Sequence, residues 1–179
     1  MANLYTYEVL RDTTQKTVIK LTANFDGTGD ENNPYRIQAN TLLGALDSSK
    51  ANLLSSTSNT GALSYYGLSV SRIGYNVASQ QKGYVELFWT NGANTAQSVP
   101  IMNMDLCGQY SEEQGMVSIQ NNGAVDKTGD IGVRTFGLGY TANTAYTLFV
   151  EIRKQNEYYQ RGQFNDPAAF NYKPYNLTP

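Results

Sequence analysis

The densest run of hard oxygen ligands in this sequence is DGTGDENN, residues 26–33. Asp26, Asp30 and Glu31 place three carboxylates within eight residues, with amide and hydroxyl oxygens between them. Calcium favours such a donor set. The spacing does not match an EF-hand loop, however, and the glutamate that closes such a loop is missing. The plainer reading is a connection leaving a strand that ends at Phe25, with Gly27 and Gly29 supplying positive φ. A phosphate cradle is disfavoured, because no lysine or following helix supports one.

Two other carboxylate pairs, Glu112–Glu113 and Asp126/Asp130, have the residue type for glycoside hydrolysis. That chemistry needs two groups at a set separation, one with a raised pKa. Both pairs stand in polar, turn-rich stretches, where solvated loop charges are the simpler reading. Cys107, in MDLCGQY, lies in an apolar run and is expected to be a small buried side chain. Tyr65, Tyr66, Tyr84, Phe88 and Trp89 offer rings for a sugar-binding platform, provided that alternation turns half of them outward. Exposed aromatics on a sheet face more often mark a protein contact or lie under a loop.

The absences are stronger evidence. The chain has no histidine and one cysteine. Histidine-based acid–base catalysis, the Ser-His-Asp and Cys-His constellations and the common zinc sites are therefore excluded, and so is a disulfide framework. Lysines and arginines are scattered and the formal charge is −2, so no basic patch suggests nucleic acid. No apolar run is long enough to span a bilayer as a helix, and the opening MANLYTYEVLRD lacks a signal-peptide layout. No cofactor or metal is expected. Fourteen tyrosines and sixteen glycines, with abundant Asn, Thr and Ser, are the palette of strands, turns and contact surfaces.

The elements that would position these residues show period two. In KTVIKLTANF, Ile19, Leu21, Ala23 and Phe25 face one side and lysines and polar residues the other. In TAYTLFVEIRK, Tyr146, Leu148, Val150 and Ile152 point inward. GYVELFWTNG alternates Val85, Leu87 and Trp89 with Tyr84, Glu86 and Phe88; both faces are apolar at its end, which predicts a central strand. YYGLSVSRIGYNV changes phase after Val70, which predicts a bulge near Ser71 and Arg72. Shorter strands are predicted at Tyr5–Leu10, Tyr35–Ala39, Val99–Met102, Met104–Cys107, Met116–Gln120 and Ile131–Thr135. Turn signals fall at Asp26-Gly27, Asn91-Gly92, Asn122-Gly123 and Gly129-Asp130, and a helical turn or two is predicted after Asn40. The whole predicts one all-β domain, a jelly-roll-like β-sandwich over residues 1–154, with an extended C-terminal arm over 155–179.

Three stretches, QKTVIKLTANFDGTGDENNPYRIQANTLLGAL, GYVELFWTN and DIGVRTFGLGYTANTAYTLFVEIRK, resemble virion structural proteins of marine tailed phages of the cyanophage and pelagiphage kind. Several such proteins are β-sandwich capsid decoration (cement) proteins. The resemblance covers roughly residues 10–154 and implies no catalytic residues. It implies a non-enzymatic protein on the capsid surface, made in the host cytoplasm. Its partners would be the major capsid protein and other copies of itself, as a symmetric homo-oligomer and specifically a trimer. A tail, neck or fibre-associated protein and a carbohydrate-binding sandwich displayed on the virion are the alternatives.

The chain ends on EYYQRGQFNDPAAFNYKPYNLTP, too aromatic for a spacer and too broken by proline for a helix. Six buried rings would yield about 30 kcal/mol gross, while ordering the backbone costs about 25–50 kcal/mol. The segment therefore needs a fitting surface, on a neighbour or on its own sheet. Tyr158, Tyr159, Phe164, Phe170, Tyr172 and Tyr175 are the expected partner-binding residues. Removing residues 157–179 is expected to leave a folded domain.

Overall fold

The computed structural model describes residues 2–54, 61–78, 83–91, 98–114, 119–120 and 127–160. Among them are ten strands: β1 (Leu4–Asp12), β2 (Lys16–Asp26), β3 (Asn32–Ile37), β4 (Leu68–Ala78), β5 (Tyr84–Asn91), β6 (Val99–Met104), β7 (Cys107–Ser111), β8 (Ile119–Gln120), β9 (Lys127–Phe136) and β10 (Ala142–Lys154). They form two antiparallel sheets, a β-sandwich. The larger runs β1-β2-β10-β4-β7, with β8 also on β4, and the smaller runs β3-β9-β5-β6. No described helix is long and apolar enough to cross a membrane.

Alternation produces the core directly. Ile19, Leu21, Ala23 and Phe25 of β2 and Tyr146, Leu148, Val150 and Ile152 of β10 are all buried, facing Val85, Leu87 and Trp89 of β5. Successive side chains on a strand point to opposite faces, so one face of each strand closes the layer between the sheets. β5 is buried on its other face too, with Glu86 and Phe88 both covered, as befits an interior strand flanked by β9 and β6. The phase change in β4 is a bulge. Glu151 pairs with Arg72 and Ile152 with Val70, which leaves Ser71 as the extra residue.

Several expectations fail for local reasons. The pair Gly129-Asp130 is not a turn but lies within β9. Gly129 has φ +92°, and a Cβ there would stand 2.3 Å from the Tyr66 carbonyl oxygen, so glycine serves a bulge at a close backbone approach. The strand predicted over Met104–Cys107 is split, because Leu106 adopts φ +57° where the chain leaves β6 of one sheet and enters β7 of the other. Cys107 thereby begins an edge strand and is exposed rather than buried. The helical segment after Asn40 is a single 3₁₀ turn at Ala39–Thr41, succeeded by Gly44 at φ +85°. Of the other turn signals, Asp26-Gly27 turns the chain, with Gly27 at φ +95°. Residues 92, 122–123 and 116–118 lie outside the described residues.

Candidate interaction surface

The three carboxylates of the 26–33 segment diverge. The Thr28 N–H donates to Asp26 Oδ1 at 3.0 Å, and hydrogen bonding from Thr28 holds that carboxyl below its usual range. Asp30 is fully engaged: Thr135 Oγ1 and the Gly139 N–H donate to Oδ1 at 3.0 and 2.7 Å, and the Gly137 N–H to Oδ2 at 2.9 Å. It fastens the β9–β10 connection to the start of β3. Glu31 turns inward and is 5% exposed. The Tyr146 hydroxyl donates to its Oε2 at 2.5 Å, and Arg36 Nε stands 3.4 Å from Oε1. Burial raises the Glu31 pKa against the opposing pull of Tyr146 and Arg36. The Glu31–Tyr146 contact ties one sheet to the other, and no described cluster of three or more His, Cys, Asp or Glu is placed to hold a metal ion.

Of the other two carboxylate pairs, Glu112 and Asp130 are occupied. Glu112, in a 3₁₀ turn with Glu113, pairs with Arg153 at 3.0 Å. Asp130 is half-buried and accepts the Ala39 N–H at 2.7 Å; burial raises its pKa. Asp126 lies outside the described residues.

The proposed aromatic platform does not assemble. Tyr66, Phe88 and Trp89 are buried, and Tyr66 donates its hydroxyl to the Leu46 carbonyl at 2.6 Å. Tyr65 meets Tyr158 edge-on at 5.3 Å. Only Tyr84 keeps substantial exposure within a shallow depression of about 260 Å³, shared with Asn103, Met104 and Asp105. Its ring stacks on Phe136 at 4.7 Å, beside Arg134, which is held by two hydrogen bonds to Glu86.

Tyr159 is not free for a partner. It is fully buried in this chain's own core; its hydroxyl donates to the Ala39 carbonyl at 2.7 Å, and its ring lies 5.5 Å from that of Tyr66. Lys154 Nζ, 5.2 Å from the same ring, donates to Asp12, to the Thr13 carbonyl and to the Leu43 carbonyl, which uses all three of its protons. The packed core therefore extends beyond Lys154, and the Gln160 N–H closes on the Gly44 carbonyl at 2.7 Å. Tyr158 is half-buried against Tyr65, with Lys50 Nζ 4.8 Å from its ring. Phe164, Phe170, Tyr172 and Tyr175 lie outside the described residues.

One surface remains that the sequence did not single out. β1 is an edge strand of nine residues that pairs, among the described residues, with β2 alone. Its register with β2 sets Tyr5, Tyr7 and Val9 opposite Ala23, Leu21 and Ile19, on the core-facing side of the sheet. Yet Leu4, Tyr5, Tyr7, Val9 and Leu10 are 61, 37, 42, 45 and 47% exposed. The smaller sheet ends at β3, and β1 overhangs it. What reaches across is Arg36, whose Nη2 donates to the Thr6 and Thr22 carbonyls at 2.8 and 3.1 Å and whose guanidinium lies 5.5 Å from the Tyr5 ring. A long apolar edge strand that pairs on one side only among the described residues is a template for pairing.

Compared with models of known families, with curated proteins and with solved structures, the chain matches none.

Proposed function

We propose that this chain is a non-enzymatic virion structural protein that acts by contact, as a capsid decoration protein binding the major capsid protein and stabilising the shell as a symmetric homo-oligomer. The observation behind this reading is the β1 overhang. Monomeric proteins seldom leave a contiguous apolar strip along an unpaired edge, because water penalises it and other chains can pair with it. Here the strip coexists with Asp30, Glu31 and Asp130, carboxylates engaged in holding the fold, so the surface offers adhesion more than chemistry. The specific assignment to a virion rests on the sequence resemblance. Weak contacts repeated by symmetry sum to a firm attachment.

Quantitative mass spectrometry of virions purified from a phage whose genome encodes the chain tests the assignment. Hundreds of copies per particle fit decoration, tens point to a neck, tail or fibre component, and absence from virions refutes the reading. A second reading draws on Tyr84. An exposed ring beside Asn103 and Asp105 matches the stacking and hydrogen-bonding needs of a sugar. Binding on a glycan array that is lost in Tyr84→Ala would favour that reading.

A further inference from the structure

Among the described residues β1 pairs on one side only, and its core-facing side chains stay exposed, so its outer edge is open to a further strand. The sequence of the strand describes one. Read outward from Tyr7, LYTYEVL is nearly symmetric: Thr6 and Glu8 are polar, Tyr5 and Val9 apolar, Leu4 and Leu10 both leucine. An isologous contact requires such self-complementarity, since each residue meets its counterpart about a two-fold axis. We propose that β1 pairs antiparallel with β1 of a second copy, centred on Tyr7. The larger sheets of two sandwiches then become one continuous sheet. The proposal rests on the reading of this chain as a contact-making protein and names the contact.

In that register Tyr7 faces Tyr7 of the second copy, Tyr5 faces Val9, Thr6 faces Glu8 and Leu4 faces Leu10. The core-facing strip Tyr5-Tyr7-Val9 continues across the axis into its own mirror sequence, so the side chains of each copy flank and shield those of the other from the side. Like charges never stand opposite each other, because Glu8 meets Thr6. The bulge opposite β2 falls at Leu10, between the Val9 and Arg11 pairings, and thus at the end of the matched stretch rather than inside it. A side chain of this size presents on the order of 200 Å². The five exposed fractions therefore amount to on the order of 450 Å² of exposed surface per copy, against about 800 Å² per partner in a standard interface. That is about half of a standard interface, so the expected dimer is weak and concentration-dependent.

A two-fold pairing closes at two copies, unlike a three-fold ring, so mass and register together test it. Sedimentation of the full chain across the micromolar range should show a dimer. Tyr7→Arg, which sets two guanidiniums face to face, should raise the dissociation constant at least about 100-fold. Phe149→Arg, on the outer face of the same sheet, should leave it unchanged, with thermal melts confirming that both fold.

The register is read by cross-linking in a Cys107→Ser background. Antiparallel partners at the axis stand with Cα atoms about 4.5–5.5 Å apart, within disulfide reach. Tyr7→Cys should therefore give an oxidised dimer. Glu8→Cys should not, because the two thiols would lie two residues out of register, about 8 Å apart. A chain that stays monomeric, or a trimer with no cross-link at position 7, overturns the proposal. So does equal cross-linking at both positions. Loss of both the dimer and the position-7 cross-link when residues 161–179 are removed would place the chain's own terminus on β1, which also overturns it. High copy number in virions together with any of these results would refute the pairing and leave the virion role standing.

Discussion

Tyr159 carries the packed core past the last strand. Its ring is fully buried between Tyr66 and Lys154, and its hydroxyl donates to the Ala39 carbonyl. Tyr159→Ala empties that space. Removing a buried aromatic side chain costs about 3–5 kcal/mol, through lost transfer energy and the cavity that remains. Tyr159→Phe keeps the ring and loses one hydrogen bond. The Leu42 N–H still reaches the Ala39 carbonyl at 3.4 Å, so the acceptor is not left bare, and the cost should be about 1 kcal/mol. In a chain of this length each kcal/mol moves the midpoint by about 2–4 °C, so Tyr159→Ala should lower Tm by roughly 6–20 °C. Urea titration provides the assay, with the midpoint falling at an unchanged slope. The same reasoning revises the expected effect of truncation. A chain ending at Gln160 should retain the wild-type midpoint, whereas one ending at Asn156 loses Tyr159 and should fall at least as far as Tyr159→Ala. If the two truncated chains melt together, the segment after Lys154 is not part of the core and the reasoning is refuted.

Leu148→Ala should cost about 2–5 kcal/mol by the same cavity mechanism, and Thr147→Ala, on the opposite face of β10, less than half of that; equal losses in urea titration would mean that the strand faces are reversed. Burial raises the Asp130 pKa, so the folded chain holds that proton to higher pH than the unfolded chain. The Asp130 contribution is full below the unfolded value of about 3.9 and is lost as pH rises through the folded pKa. Wild type should therefore lose stability relative to Asp130→Asn as pH rises above about 4, and the opposite trend in paired denaturation curves would contradict the assignment. EDTA should leave Tm unchanged, because both Asp30 oxygens already hold protein donors; a fall of many degrees reversed by calcium alone would show a bound ion that stabilises the folded state.

The elements legible in the sequence were those in which a single strand states its own burial. Ile19 to Phe25, Tyr146 to Ile152 and the phase change at Ser71 each follow from alternation, because the core side of a strand is repeated every second residue. What was not legible depends on chain elements far apart in sequence. Gly129-Asp130 has the composition of a turn, and only the Tyr66 carbonyl, more than sixty residues away, explains why a glycine stands inside a strand. Cys107 reads as buried until the switch from one sheet to the other at Leu106 is known. Tyr159 stands beyond the last alternating strand, and its pocket is built from Ala39, Tyr66 and Lys154. Its two neighbouring tyrosine contacts, with Tyr65 for Tyr158 and Tyr66 for itself, are the paired signal that sequence alone leaves unmatched.

The β1 overhang belongs to the same class, and it bears on function. Tyr5, Tyr7 and Val9 alternate as well as Ile19, Leu21 and Ala23 do, and the two triplets are paired with one another. Their burial differs because, among the described residues, the larger sheet extends one strand beyond the smaller, so β2 has a layer above it and β1 does not. A hydrophobic pattern specifies which face seeks cover, whereas the widths of two sheets decide whether the chain itself provides that cover. Where it does not, a strand with core-like alternation and no layer opposite it is a demand for a surface from elsewhere. The near-symmetry about Tyr7 narrows that demand to a partner presenting the same strand in reverse.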